Sequence, residues 1–388
     1  MNMKKISFAL LAMQAVFLSC NAQGLGEVYK DYWRTGVSVN QWEITSNSQK
    51  PGENGVTGFT GVDQTAHFPL IVENFNWLVA ENSMKMESVH PKEGIYDFTD
   101  ADKFVDKALA SGVNVVGHCL IWHSQCPAWF FLDSEGKQVT PEVLKKRMKE
   151  HIYTVVNHFK GRVKAWDVVN EAFEDDGSLR KSKFYEILGE DFIPLAFQYA
   201  YEADPSMELY YNDFSMNKAS KVRGVINFFK PLMAKGLHVT AIGLQGHMIL
   251  GPEDYVSQYA KTIDLIKSEL GLPSQFTELD LSVLPNPFGF SGANIGANFQ
   301  YSEKMDPYKK GLPVSVQKKV DDFWVAFYKM LIERKENVLR VGFWCFNDAN
   351  TWRNNWPING RTDYPTLFDR NSQPKPTIKK LIELVQKK

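Results

Sequence analysis

Cysteine is scarce in this chain: four in 388 residues, at positions 20, 119, 126 and 345, with no Cys-x-x-Cys pair. Structural zinc sites are usually assembled from such pairs, so nothing supports one here. A surplus of charge is missing as well. The 44 basic and 45 acidic side chains leave a formal net charge of -1, which offers no electrostatic hold on nucleic acid or an anionic membrane surface. No glycine-rich phosphate loop follows the first candidate strand, where Val39-Asn-Gln-Trp-Glu43 stands instead, and the strand ends carry no serine elbow. The apolar run from Ile6 to Leu18 is too short to span a bilayer, so the mature chain is expected to have no transmembrane segment.

What is present begins with residues 1–23, a targeting segment in which Lys4 and Lys5 precede that apolar run. Two endings compete. Phe17-Leu-Ser-Cys20 resembles a bacterial lipobox, which would place a lipid anchor at Cys20, while Cys20-Asn-Ala22 resembles a small-x-small cleavage site. Under either ending the protein is exported: secreted, periplasmic, or lipid-anchored to the outer membrane of a bacterium. Residues 24–388 are then expected to form one domain. In an oxidising compartment Cys119 and Cys126 have the option of a disulfide, but Cys119 also fits as a small buried hydrophobe within Val115–Ile121. Aromatic residues are abundant at 13%, with 10 Trp and 15 Tyr, and flat aromatic faces stack well on sugar rings.

Along the chain a short apolar run, a polar loop and a helical segment recur. Strands are expected near Gly36–Val39, Asn76–Ala80, Val113–Cys119, Lys164–Val169, Met207–Tyr211, Ala241–Gln245, Ser274–Leu279 and Arg340–Cys345. Most are continuously apolar, as parallel strands covered by helices must be. Helix ends are marked by Thr140-Pro-Glu142 and Gly161, by Pro252-Glu-Asp254 and Gly271, and by Gly112 after Asp100–Ala110. Eight such units predict an α/β fold, a single (β/α)8 TIM barrel, with a doubly wound open sheet as the alternative. The polar stretches 45–63 and 285–313 are long for structureless loops, which points to lids, binding loops or disorder.

Two of the strands share an ending. Lys164-Ala-Trp-Asp-Val-Val-Asn170-Glu171 and Ser274-Gln-Phe-Thr-Glu278-Leu-Asp280 each run from apolar core to a carboxylate. The C-terminal strand ends of a barrel form its active face. Collected there are Glu81, Asn82 and Lys85; His118, Trp122 and His123; Asn170 and Glu171; Asn212; Gln245 and His247; Glu278 and Asp280; Trp344, with Trp352 beyond. Amides, imidazoles, carboxylates and indoles are the groups that bind hydroxyls and stack on pyranose faces.

At this level the chain resembles the family 10 glycoside hydrolases, chiefly endo-1,4-β-xylanases, from about Tyr32 to the C-terminus. The matching motifs are Ala80-Glu-Asn-Ser-Met-Lys85, Gly117-His118 through Trp122-His123, Trp166-Asp-Val-Val-Asn-Glu171, Gly243-Leu-Gln-Gly-His247, Thr277-Glu-Leu-Asp280, and Phe343-Trp344 with Trp352. The resemblance implies a retaining hydrolase of xylan and xylo-oligosaccharides that needs no metal and no cofactor. It makes Glu171 the general acid/base and Glu278 the nucleophile. His247 would contact Glu278 with Asp280 behind it, and Asn170 would bond both the nucleophile and the sugar 2-hydroxyl. Glu81, Asn82, Lys85, His118 and Gln245 would bind the glycone sugars, Trp122, Trp344 and Trp352 would cover that end, and Asn212 would lie toward the aglycone.

Plainer readings stand beside these. His118 and His123 lack the spacing of a metal motif. Trp344 has a role as barrel core, Asp280 as a lysine partner, and Lys85 as a solvated helix residue. His151, His158, His238 and the run Lys145-Lys-Arg147 are expected at the surface. Phe288, Phe290, Phe299 and Tyr301 are candidates for aglycone contacts. Rival functions are a β-glucan or cellobioside hydrolase, a carbohydrate-binding barrel without catalysis, and an exported solute-binding protein.

Overall fold

The computed structural model describes residues 23–45, 64–287 and 297–386. The targeting segment with Cys20, most of the 45–63 stretch, and Phe288 and Phe290 therefore lie outside the described residues. The described residues hold nine parallel strands: β1 Arg34–Val39, β2 Trp77–Ala80, β3 Asn114–Trp122, β4 Ala165–Asn170, β5 Glu208–Asp213, β6 Ala241–Leu244, β7 His247–Ile249, β8 Ser274–Ser282 and β9 Val338–Phe343. Neighbours follow in the order β6-β5-β4-β3-β2-β1-β9-β8-β7, and β6 also pairs with β8, Ile242 opposite Ser274 and Leu244 opposite Phe276. That last ladder closes an eight-stranded barrel, and the open sheet is set aside. The short β7 continues the contact with β8 beyond the end of β6, with His247 opposite Asp280. No separate strand was expected there.

Period-two alternation explains why both faces are apolar. Trp77 and Val79 of β2 point into the barrel with Val116, Ala165, Tyr210 and Ala241, while Leu78 and Ala80 pack outward under the helices. Helix boundaries largely follow the expected signals. Thr140 Oγ1 accepts from the Val143 N–H at the start of the Pro141–His158 helix. Gly271 ends the Tyr255–Leu270 helix in the left-handed region at φ 71°, which a glycine adopts without a Cβ penalty. Pro252 is not inside that helix; Asp254 caps it, accepting from the Ser257 N–H.

Two expectations about the surface fail. His151 and Arg147 are buried, at 1% and 8% exposure. Leu144, Arg147, Met148, His151, Ile152 and Val155 form the stripe of this helix that faces the strands. Their 3–4 spacing outweighs their polarity, because each polar group finds a partner inside: His151 Nε2 meets the Leu120 carbonyl at 3.1 Å, and Arg147 donates to the Trp129 and Leu132 carbonyls. Cys119, Cys126 and Cys345 are all free thiols, with Cys119 buried. The disulfide option is thus not taken. Among the described residues no helix is long and apolar enough to cross a membrane.

Candidate active site

Because all strands are parallel, their C-terminal ends share one mouth, and the carboxylates of β4 and β8 meet there. Glu278 is 5% exposed and sits midway along β8, where the register slips between Phe276 and Leu279. Its Oε1 accepts from Asn212 Nδ2 at 2.8 Å and its Oε2 lies 3.1 Å from His247 Nε2. The other ring nitrogen of His247 lies 2.9 Å from Asp280 Oδ2. Burial disfavours a charged imidazole, but the Asp280 carboxylate and the hydrogen bonds to Asp280 and Glu278 outweigh it, raising the His247 pKa to about 9. Both ring N–H groups then donate. For Glu278 burial pushes the pKa up, yet the His247 hydrogen bond and charge, His118 and Asn212 together hold it below its ordinary value. Glu278 is therefore an anion at neutral pH.

Glu171 is equally enclosed and has the opposite balance. It follows β4 with φ 58°, a left-handed conformation rare for a side-chain-bearing residue. The turn is pinned at both ends: its N–H donates to the Asn212 carbonyl at 2.9 Å, and its carbonyl accepts from Arg180 Nε at 2.9 Å. Trp122 Nε1 donates to Oε2 and Gln245 Nε2 to Oε1, each at 2.9 Å. Burial raises its pKa; the Gln245 and Trp122 hydrogen bonds pull it down less than burial, Asp213 and Glu278 push it up. One buried carboxyl thus favours its proton and the other its charge, the division of labour expected of an acid and a nucleophile.

Four contacts tie the two carboxyls into one network. Asn212 Nδ2, already on Glu278, also reaches Asn170 Oδ1 at 3.0 Å, and Gln245 Nε2, already on Glu171, reaches the same oxygen at 3.3 Å. Here two assignments change. Asn212, not Asn170, bonds Glu278, while Asn170 Nδ2 faces Glu171 Oε1 at 3.4 Å. Asn212 is 0% exposed and cannot be an aglycone contact. The cause lies in β6: a Cβ on Gly243 would fall 2.4 Å from Asn212 Oδ1, so glycine there is what lets β5 turn this amide inward. Thr277 Oγ1 donates to that same oxygen at 2.7 Å.

Around the pair lie the remaining residues. His118 is buried against Asp167 at 2.9 Å and has its ring 5.4 Å from Trp344. Lys85 is buried, not solvated; its Nζ donates to Asn82 Oδ1 at 3.0 Å and Gln125 Oε1 at 2.7 Å and lies 4.9 Å from the Trp122 ring. Asn82 is exposed at the rim. Glu81 is half-buried, accepts from Asn40 Nδ2 at 2.7 Å, and is pushed to about 7 by burial against the opposing pull of Lys85 and Asn40. Trp344 packs on the inner core and presents its ring to His118 and Lys85. Trp352 Nε1 donates to Asp280 Oδ2 at 2.8 Å, and its ring stacks on Trp356 at 4.5 Å.

Asp280 is not a lysine partner. It accepts from Arg353 Nη2 at 2.7 Å as well as from His247, and those two cations overcome burial to hold its pKa far below normal. Arg353, Asn40, Gln125 and Trp356 were not anticipated. Asn40 stands directly after β1, so a strand-end rule would have found it; Arg353 and Trp356 sit in a loop without pattern. Phe299 pairs through its backbone with Pro357 and Ile358 beside that loop, and Tyr301 donates to Asp306. No cluster that would hold a metal exists among the described residues.

Comparison with known proteins adds the family. The model for glycosyl hydrolase family 10 matches residues 31–384. A protein of Xylanibacter ruminicola named endo-1,4-beta-xylanase A is 40% identical over 390 residues, spanning 99% of this chain and 100% of its own. A beta-1,4-xylanase of Dictyoglomus thermophilum is 36% identical over 379 residues, 94% of each chain. Among solved structures, a GH10 endoxylanase retrieved from a sugarcane soil metagenome superposes with a TM-score of 0.85 at 36% identity, covering 93% of this chain and 100% of that one.

Proposed function

This chain belongs to glycosyl hydrolase family 10, and from that premise we propose that it is a retaining endo-1,4-β-xylanase in which Glu278 is the nucleophile and Glu171 the general acid/base. The observation that carries the reading is the opposed surroundings of the two enclosed carboxyls: burial, Asp213 and Glu278 push the Glu171 carboxyl up, while His247, His118 and Asn212 hold Glu278 down. In the first step Glu278 attacks the anomeric carbon of a xylosyl unit. The bond to the leaving oxygen breaks, that oxygen keeps the electron pair, and it takes the proton from Glu171. In the second step Glu171, now a carboxylate, removes a proton from water; the hydroxyl forms the new bond to the anomeric carbon and Glu278 leaves as the anion. His247, held by Asp280, keeps Glu278 ionised before it attacks and stabilises the carboxylate again as it leaves in the second step. No metal or cofactor enters either one.

Substrate class follows from the relatives' names and from the glycone side. Lys85, braced by Asn82 and Gln125 and flanked by Trp122 and Trp344, narrows the space beside the sugar ring, which favours xylose over a hydroxymethyl-bearing glucose. Comparing turnover of aryl xylobioside and aryl cellobioside tests that preference; a faster cellobioside would make the enzyme a glucanase. The mechanism is tested with Glu278→Ala and Glu171→Ala. Glu278→Ala should lose xylan hydrolysis altogether. Glu171→Ala should lose about 10²–10⁴-fold on xylan while still giving a burst with an activated aryl xylobioside, whose leaving group needs no proton. Turnover by Glu278→Ala near wild type would overturn the assignment. Export is proposed on the N-terminal segment alone, and labelling with palmitate in Cys20→Ala and parent chains separates lipidation from simple cleavage.

A further inference from the structure

The end of β5 reads Tyr211-Asn-Asp213, and period-two alternation divides it between the two carboxyls of the cleft. Asn212 points inward and bonds Glu278. Tyr211 packs in the core outside the strands, and Asp213, two places on, shares that face. Both are fully enclosed, so neither has surface to offer a sugar. What they hold instead is the chain just beyond Glu171. The Ala172 N–H donates to the Tyr211 hydroxyl at 3.1 Å, and the Phe173 N–H donates to Asp213 Oδ2 at 3.3 Å. The same loop is pressed onto the Ala219–Ala234 helix, where a Cβ on Gly224 would fall 2.2 Å from the Gly177 carbonyl oxygen and Ser220 Oγ donates to the Asp175 carbonyl at 2.7 Å. That helix also supplies Lys221, buried and 2.7 Å from Asp213 Oδ1.

The direction of each hydrogen can be traced. Tyr211 accepts from Ala172, so its single hydrogen is free to go to Asp213 Oδ2, to which the hydroxyl donates. Asp213 then receives two donors on each oxygen: Tyr211 and the Phe173 N–H on Oδ2, Lys221 and the Phe214 N–H on Oδ1. A protonated carboxyl would set a hydrogen of its own against one of the four. Burial works against the charge and raises the Asp213 pKa, but the donor set is one that only a carboxylate satisfies. The titratable groups around Glu171 are Lys85 after β2, Cys119 of β3, Tyr211 and Asp213 of β5, and Glu278 of β8. Asp213 is faced in turn by Lys221 and Arg180. His123 stands near those two cations, and burial lowers its pKa to about 4, so it adds no charge at neutral pH. Of the anions around Glu171, Asp213 is the one that also grips its backbone.

We propose that Asp213 is a positioning residue for proton donation: with Tyr211 it fixes the left-handed turn that aims Glu171, and it sets a negative charge behind the Glu171 carboxyl. The inference rests on Glu171 being the acid, and its test separates the two. Asp213→Asn is combined with Lys221→Met, so that no buried cation is left unpaired. The readout is kcat/KM, which ends at the glycosyl-enzyme, on phenyl xylobioside, whose leaving group needs the proton, and on dinitrophenyl xylobioside, whose leaving group does not. The double variant should lose about tenfold or more on the phenyl substrate and keep the dinitrophenyl rate within a few-fold. Its basic limb should move about one unit or more to lower pH, because removing an anion disfavours the protonated acid. Tyr211→Phe breaks the link to Ala172 and leaves the Asp213 charge, so it should show the same split between substrates with its basic limb in place. Should the double variant not fold, the split in Tyr211→Phe decides. A loss shared equally by both substrates, a basic limb unmoved in the double variant, or full activity in Tyr211→Phe would overturn the proposal. Glu171→Ala is measured alongside: an equal loss on both substrates there removes Glu171 as the acid, whereas a split there and none in the other variants removes only the role of Asp213.

Discussion

His247 and Asp280 lie 2.9 Å apart, Nδ1 to Oδ2, and this contact governs the charge of Glu278 on the far side of the same ring. An imidazolium between two carboxylates lowers both of their pKa values, and each carboxylate in turn raises the imidazole's. Replacing Asp280 by Asn removes the larger of the two anionic influences on His247. The imidazole should then titrate about 1–3 units lower, and the acidic limb of kcat/KM should move up as Glu278 loses its cation. Proton NMR of the His247 ring against pH, beside the pH–rate profile, measures both. A His247 pKa that stays near 9 in Asp280→Asn contradicts the assignment of cause.

The same triad makes a prediction about stability. The His247 pKa is raised in the folded state, to about 9 against about 6.5 unfolded. Its contribution is therefore complete below about pH 6.5 and is lost as pH climbs through about 9. The burial is deep enough that roughly 3 kcal/mol is at stake. Asp280 has the opposite sign: its depressed pKa stabilises above about pH 4 and is lost on acidification. Wild-type Tm should consequently fall more steeply between pH 6.5 and 9 than that of Asp280→Asn. Parallel Tm curves over this window would show that the pair does not couple to folding.

Why some of this was legible from the sequence and some was not follows from period and from partners. Eight apolar runs marked eight barrel strands because burial on both faces leaves no alternation to confuse with helix. Strand ends then located Glu171, Glu278 and His247 without coordinates. The distinction between Asn170 and Asn212 was out of reach, since both end a strand, and the difference is set by Gly243 on a third strand. Arg147 and His151 were misplaced because residue type was weighed above the spacing of the stripe they occupy. Arg353, which holds Asp280 from more than seventy residues away in sequence, carries no local signal at all.

The exchange of roles between the two asparagines separates them experimentally. Asn212→Ala removes the 2.8 Å donor to Glu278, so the acidic limb of kcat/KM should rise and kcat should fall about 10-fold or more, a hydrogen bond to a charge being worth about 1.5–3 kcal/mol. Asn170→Ala touches Glu171 at 3.4 Å and leaves Glu278 Oε1 bonded. Its acidic limb should stay in place. Gly243→Ala, whose new Cβ crowds Asn212, should resemble Asn212→Ala. An acidic limb that moves in Asn170→Ala and not in Asn212→Ala would restore the original assignment.

Gln125 makes the last prediction, because it connects a left-handed backbone to a buried cation. Its φ is 44°, and its side chain both accepts from Lys85 Nζ at 2.7 Å and donates to Glu87 at 3.0 Å. Lys85 is 5% exposed, and burial lowers its pKa against the attraction of the surrounding anions, so the cation depends on its acceptors. Gln125→Leu leaves Asn82 as the sole amide acceptor. If Lys85 binds the glycone sugar equally in ground and transition states, KM should rise about 10-fold or more with kcat nearly unchanged. Gln125→Glu keeps an acceptor in place and adds a charge facing Lys85, so it should hold KM within a few-fold of wild type. Steady-state kinetics on xylo-oligosaccharides decide the matter: a loss confined to kcat would move Lys85 from sugar binding to the chemical step.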